Sequence, residues 1–157
     1  NFNATTANPR AVVTAGILSQ SNSKDDQAIL TAANMAPGDT ETGTLDLGNT
    51  GDLPASMSVS TAPPVDTPAS TAFSSYLRLE VDDLGSPTCT TGCPAPVAIF
   101  RGPLAQAAGT SDLRVLQPGE KRRYRFKVTY PDGGGDGADN EYGGARTTVG
   151  ITWTARQ

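Results

Sequence analysis

A Pro-Gly-acid triplet followed by an alternating apolar run occurs twice in this chain with one spacing. Pro37-Gly38-Asp39 leads to Leu45 and Leu47, and Pro118-Gly119-Glu120 leads to Phe126 and Val128, with Gly43 and Tyr124 at matching offsets. Proline presets φ and glycine accepts positive φ, so each triplet specifies a tight turn. The period of two that follows specifies a strand with one buried face. A chain punctuated in this way is expected to be all-β, with the repeated unit at a sheet edge, and to be built for assembly rather than catalysis.

Composition agrees with that expectation. Only 36% of the 157 residues are hydrophobic, and 17 Gly and 12 Pro supply turns throughout. Such a chain suits short strands joined by many turns, in one domain of ordinary size. No apolar stretch approaches bilayer length, so no membrane insertion is expected. No charged segment followed by an apolar one opens the chain, which predicts a processed N-terminus or no signal. The formal charge of −4 argues against nucleic acid as a primary ligand.

Alternation locates the strands. Val12, Val13, Ile17 and Leu18 begin the first apolar stretch, and Ala28 and Leu30 alternate into the first Pro-Gly turn. Thr42–Leu47 stops at the turn Gly48-Asn49-Thr50-Gly51, and Met57 and Val59 start another strand. Leu77, Leu79 and Val81 alternate with Arg78, Glu80 and Asp82, and Val97–Phe100 follows. Tyr124, Phe126, Val128 and Tyr130 form the strongest pattern, with Val149, Ile151 and Trp153 next. Short helical turns are expected between Pro68 and Tyr76 and at Leu104–Ala108. The sum predicts an antiparallel β-sandwich of jelly-roll or immunoglobulin-like kind.

Chemistry is sparse. The chain has no histidine, which removes Ser-His-Asp, Cys-His and His-Glu-x-x-His arrangements, and no nucleophile elbow or phosphate loop is present. No catalytic residue is assigned, and the chain is not expected to be an enzyme. Asp82 and Asp83 fall on opposite faces of a strand, the wrong arrangement for joint acid-base work. Cys89 and Cys93 are the only cysteines and flank Thr-Thr-Gly. Without histidine they make a poor metal site, and a small disulfide in an oxidising compartment is expected.

Lys121, Arg123, Arg125 and Lys127 line one face of a strand. They are read as a solvent face or a face paired with acidic neighbours, in preference to a grip on a polyanion. The Gly-rich loop 132–141 carries Asp132, Asp136, Asp139 and Glu141, the candidate calcium ligands of the chain. Its spacing does not match an EF-hand, and a solvated hairpin loop accounts for the same residues, so no cofactor is assigned. Asn3-Ala4-Thr5 fits a glycosylation sequon.

Three segments recur in order: Met35-Ala36-Pro37-Gly38-Asp39, then Leu47-Gly48-Asn49-Thr50-Gly51-Asp52-Leu53-Pro54, then Asp139-Asn140-Glu141-Tyr142-Gly143-Gly144 running through Thr152-Trp153-Thr154-Ala155-Arg156-Gln157. Together they resemble the TasA/camelysin family of secreted fibre proteins, from about Val13 to the end of the chain. The Cys89/Cys93 loop and the Gly-rich run before Asp139 stand as insertions. The resemblance implies a jelly-roll domain, a signal already removed, and extracellular filaments in a biofilm matrix or at a cell surface. It also implies that the N-terminal segment of one subunit completes a sheet of the next. The peptidase role also attached to camelysins is not expected in a chain without histidine.

The N-terminal residues fit a donor independently of that resemblance. Asn1–Arg10 is polar, carries Phe2 as its one large apolar side chain, and contains Pro9. The expected organisation is a donor segment over residues 1–12 and a sandwich over 13–157. Phe2, Asn3, Ala4, Thr5, Thr6, Ala7 and Val12 are the polymerisation residues, with Phe2 and Ala4 as buried anchors. Added at an exposed edge, such a strand gains about 0.5–1.5 kcal/mol per main-chain bond and about 1.5–3 kcal/mol from burying Phe2. Ordering and association subtract from that sum. The expected partner is the chain itself, in a head-to-tail homopolymer. The alternative is a monomeric extracellular adhesion or ligand-binding sandwich, with calcium in the acidic loop.

Overall fold

The computed structural model describes residues 3–8, 11–12, 20–22, 35–133, 142 and 144–156. It is all-β, with antiparallel sheets and a few short helical turns. Strands run β1 Asn3–Asn8, β2 Ala11–Val12, β3 Gln20–Asn22, β4 Thr40–Asn49, β5 Ala55–Thr61 and β6 Val65–Thr67. They continue as β7 Arg78–Gly85, β8 Val97–Pro103, β9 Gly109–Leu116, β10 Lys121–Thr129, β11 Arg146–Thr148 and β12 Ile151–Arg156. Helical turns fall where expected, at Ala69–Thr71 with α1 Phe73–Tyr76, and at Leu104–Ala107.

Two five-stranded sheets carry the fold, ordered β2-β1-β12-β5-β9 and β3-β4-β10-β7-β8, and β6 with β11 forms a small separate ribbon. Alternation decides which side chains meet between the sheets. Tyr124, Phe126 and Val128 of β10 and Leu79 and Val81 of β7 face Met57 of β5 and Ile151, Trp153 and Ala155 of β12 in one buried cluster. Trp153 is 1% exposed. Its ring lies 5.8 Å from that of Tyr124 and meets Phe126 edge-on at 6.1 Å, within the range where aromatic pairs attract beyond their buried area.

The repeated Pro-Gly-acid units fold as one local structure used twice. Gly38 has φ +90° and Gly119 φ +77°, and the amides of Asp39 and Glu120 close each turn onto the carbonyls of Ala36 and Gln117 at 3.0 and 2.9 Å. Each acid then accepts a bond back from the residue that opens its turn: Ala36 N–H donates to Asp39 at 2.8 Å and Gln117 N–H to Glu120 at 2.9 Å. The strands that follow, β4 and β10, pair with each other from Thr40↔Thr129 to Gly48↔Lys121. At one end Gly38 N–H donates to Tyr130 O and Tyr130 N–H to Asp39 O; at the other Gly119 N–H donates to Asn49 O and Asn49 N–H to Glu120 O. The two units are therefore related by a local pseudo-twofold.

The unit does not lie at a sheet edge, as the sequence suggested. β7 pairs with β10 from Thr129↔Arg78 to Arg123↔Gly85, and β3 pairs with β4 at Leu47–Asn49, so β10 is interior along its length and β4 at its C-terminal end. The first apolar stretch is described as strand only at Ala11–Val12, and Val13, Ile17, Leu18, Ala28 and Leu30 lie outside the described residues.

Candidate assembly site

β12 is the strand on which the expected donor bears. Ile151, Trp153 and Ala155 are buried, while Thr152 and Thr154 are half-buried on its other face. One edge is filled by β5, in unbroken register from Ile151↔Thr61 to Arg156↔Ser56. The other is filled by β1, equally unbroken: Asn3↔Arg156, Ala4↔Ala155, Thr5↔Thr154, Thr6↔Trp153, Ala7↔Thr152 and Asn8↔Ile151. In the single chain, then, the segment expected to stand apart as a donor is a strand of its own sheet. A continuous ladder of main-chain bonds offsets the ordering cost that a polar segment cannot meet alone.

The second neighbour of β1 is slight. β2 meets it only at Thr5↔Val12 and Thr6↔Ala11. Of the expected polymerisation residues, Asn3, Ala4, Thr5, Thr6 and Ala7 form this ladder and Val12 pairs beside it; Phe2 lies outside the described residues. Ala4, named as an anchor, takes the position opposite the buried Ala155.

The far edges of both sheets are irregular. Along β9 the register with β5 jumps from Met57↔Arg114 to Ser58↔Asp112, skipping Leu113. Along β8 the register with β7 jumps from Val81↔Phe100 to Asp82↔Ala98, skipping Ile99. Ile99 and Leu113 are partly buried against the core, so each bulge places an apolar side chain inward and twists the strand that carries it. Bulges and charge near an edge are common devices against foreign strand pairing.

Charge completes that protection. Asp83, on the core side of β7, takes Arg122 at 3.0–3.2 Å and Arg114 of the opposite sheet at 3.4 Å. Asp82, on the outer side, is 2% exposed and holds Arg125 at 2.6 Å together with Arg101. Burial alone would raise the Asp82 carboxyl, but hydrogen bonds from Arg101 and Arg125 outweigh it and hold it below the usual carboxylate range. The adjacent acids thus face apart, as alternation required, and each carries its own cations.

Three of the four cations in the basic strip of β10, Arg123, Arg125 and Lys127, are paired on their own sheet. Arg123 makes a double contact with Asp46 at 2.7 and 2.8 Å, Arg125 meets Asp82, and Lys127 meets Glu80 at 3.2 Å. The Asp46 contact raises the Arg123 guanidinium above its ordinary value. Acidic neighbours along the sheet supply what a polyanion would have supplied.

Cys89 and Cys93 form a disulfide. Of the acidic residues of the loop only Asp132 is described, and it is exposed; Asp136, Asp139 and Glu141 lie outside the described residues. Among the described residues no group of three or more His, Cys, Asp or Glu is placed to hold a metal, and no helix is long and apolar enough to cross a membrane.

Sequence reasoning missed two structural sites. Asn49 is buried, its carboxamide donating to Leu53 O at 2.7 Å and Leu116 O at 3.0 Å and accepting from Gly51 N–H at 2.9 Å. The last bond is an Asx turn, and the Gly-Asn-Thr-Gly string was its signal. The bulges left no signal, because the pairing partner decides which residue is extra. No family model matches the chain, and no curated protein matches it.

Proposed function

We propose that this chain is a secreted structural subunit that polymerises into extracellular filaments by donating β1 to a neighbouring copy, in a biofilm matrix or at a cell surface. One observation carries the reading: the first described strand enters the sandwich through a main-chain ladder to β12, with two paired residues on its other side. Such a ladder is indifferent to which chain supplies the strand. Exchange of an identical element between protomers, left open, yields a heterologous filament.

The strand orders support the finer architectural reading. The order β1-β12-β5-β9 opposite β4-β10-β7-β8 agrees with the winding of an eight-stranded jelly roll, with β1 beside β12. The similarity to TasA/camelysin fibre proteins agrees with both readings. The disulfide suits an oxidising compartment such as the extracellular space.

Electron microscopy of the purified chain is expected to show filaments, and removal of Asn1–Arg10 to leave a folded chain without them. Filaments of undiminished length from the shortened chain overturn the proposal. The closed pairing of β1 on its own chain favours a second reading, a monomeric extracellular adhesion or ligand-binding sandwich. Sedimentation showing only monomers at high concentration selects it.

A further inference from the structure

We propose that the acceptor for β1 is the β12 edge of the neighbouring subunit, taken in the register β1 keeps on its own chain, so that closed monomer and filament are alternative occupants of one edge. This rests on the strand-exchange reading above. It adds the receiving edge, the register and a consequence for assembly.

The edges of the two sheets are not equivalent. β8 and β9 each carry a bulge that skips a residue, and Arg114 of β9 turns toward Asp83 of the opposite sheet. A foreign strand added there would meet a broken row of donors and acceptors. β8 also follows Pro94 and Pro96 and ends at Pro103, and proline cannot donate to a ladder. On the opposite side, β3 has three residues and β2 has two, so neither offers a long template; β4 runs past β3 from Thr40 to Asp46 without a second partner among the described residues, but buries only Leu45 there and presents no alternating core face.

β12 differs from all of these. Its register is unbroken on both sides, and every second residue is part of the core. If β1 leaves, a straight row of main-chain groups from Ile151 to Arg156 is uncovered beside Trp153. The strand that satisfies the row best is the one already matched to it, from a second copy. A one-residue slip would move Ala4, Thr6 and Asn8 off the positions opposite Ala155, Trp153 and Ile151 and so lose the match between the strands.

The consequence is a self-capped monomer. While β1 lies on its own chain the acceptor is blocked, so filament growth requires release of β1 and rises with subunit concentration. Cysteine pairs at directly opposed positions test this, since such Cα atoms approach within disulfide range. Thr5 and Thr154 form one pair and Ala7 and Thr152 a second, and on β12 both positions belong to the half-buried face.

A chain carrying Thr5→Cys and Thr154→Cys, oxidised while dilute, is expected to stay monomeric and to form filaments only after reduction. A mixture of singly substituted chains, one Thr5→Cys and one Thr154→Cys, assembled first and oxidised afterwards, is expected to give covalent dimers. Peptide mapping would join the two introduced thiols and leave Cys89–Cys93 intact. The Ala7→Cys and Thr152→Cys pair repeats the test should the first variants fail to fold. Filaments that form without this cross-link overturn the β12 acceptor and leave strand exchange standing. Filaments from the oxidised, locked chain overturn exchange itself, as does the absence of filaments from the unmodified chain at any concentration.

Discussion

Asn49 joins three parts of the molecule through one carboxamide: the end of β4, the turn through Leu53, and the end of β9 in the opposite sheet. Removing a buried polar group strands its partners, at about 1–3 kcal/mol for each group left unsatisfied. Only the bond to Leu116 O is fully buried, the other two being within reach of water, so Asn49→Ala is expected to lower stability by about 1–3 kcal/mol, seen as a lower urea midpoint with unchanged slope. A shift too small to measure would show that water takes over these bonds. Tyr124 is the converse case. It is buried beside Trp153, its hydroxyl has no hydrogen-bond partner among the described residues, and burial, followed by the charge of Asp83, pushes its ionisation well above the ordinary range. The ring holds it there, not the hydroxyl.

Among the elements, the two Pro-Gly-acid turns set the β4–β10 pair, the centre of one sheet. No atom outside the local chain comes within 4 Å of a Cβ built on Gly119, so its requirement is backbone conformation alone. Gly119→Ala places an L-residue in left-handed conformation, at about 1–2 kcal/mol, whereas Asn tolerates that region better. Thermal unfolding is expected to rank the variants wild type, then Gly119→Asn, then Gly119→Ala. An alanine variant as stable as wild type would mean that the turn relaxes. The sequence made these turns legible, because proline and glycine act locally. It misplaced them at an edge, because the number of neighbours a strand has is settled by residues far along the chain.

Taken whole, the molecule carries its charge in two ways. The chain has a net charge of −4 and an isoelectric point near 4.7, while Asp82 is held under Arg101 and Arg125 on the sheet. The folded Asp82 carboxyl titrates below its ordinary value of 3.8, so near that pH the unfolded chain binds more protons than the folded one. The stability it contributes is present above that value and is lost as pH falls through the depressed one. Net charge disappears at higher pH than this ion pair does. Lowering the pH toward 4.7 is expected to raise light scattering through lost repulsion while near-ultraviolet circular dichroism stays native; below 3.8 the native signal weakens. An Asp82→Asn variant should show a flatter loss of stability over that lower range. Unfolding that precedes association would contradict this order.

Much of the fold was readable in the chain because its causes are local. Alternation marked β7, β10 and β12, Pro-Gly turns marked the starts of β4 and β10, spacing marked the Cys89–Cys93 staple, and Asp82 and Asp83 were assigned to opposite faces. What could not be read there depends on pairing: the central place of β4 and β10, the bulges at Ile99 and Leu113, the reach of Arg114 to Asp83, and the seat of β1 on β12. A residue is extra, or an edge is open, only relative to the strand beside it, and that strand can lie more than a hundred residues away, as β1 and β12 do.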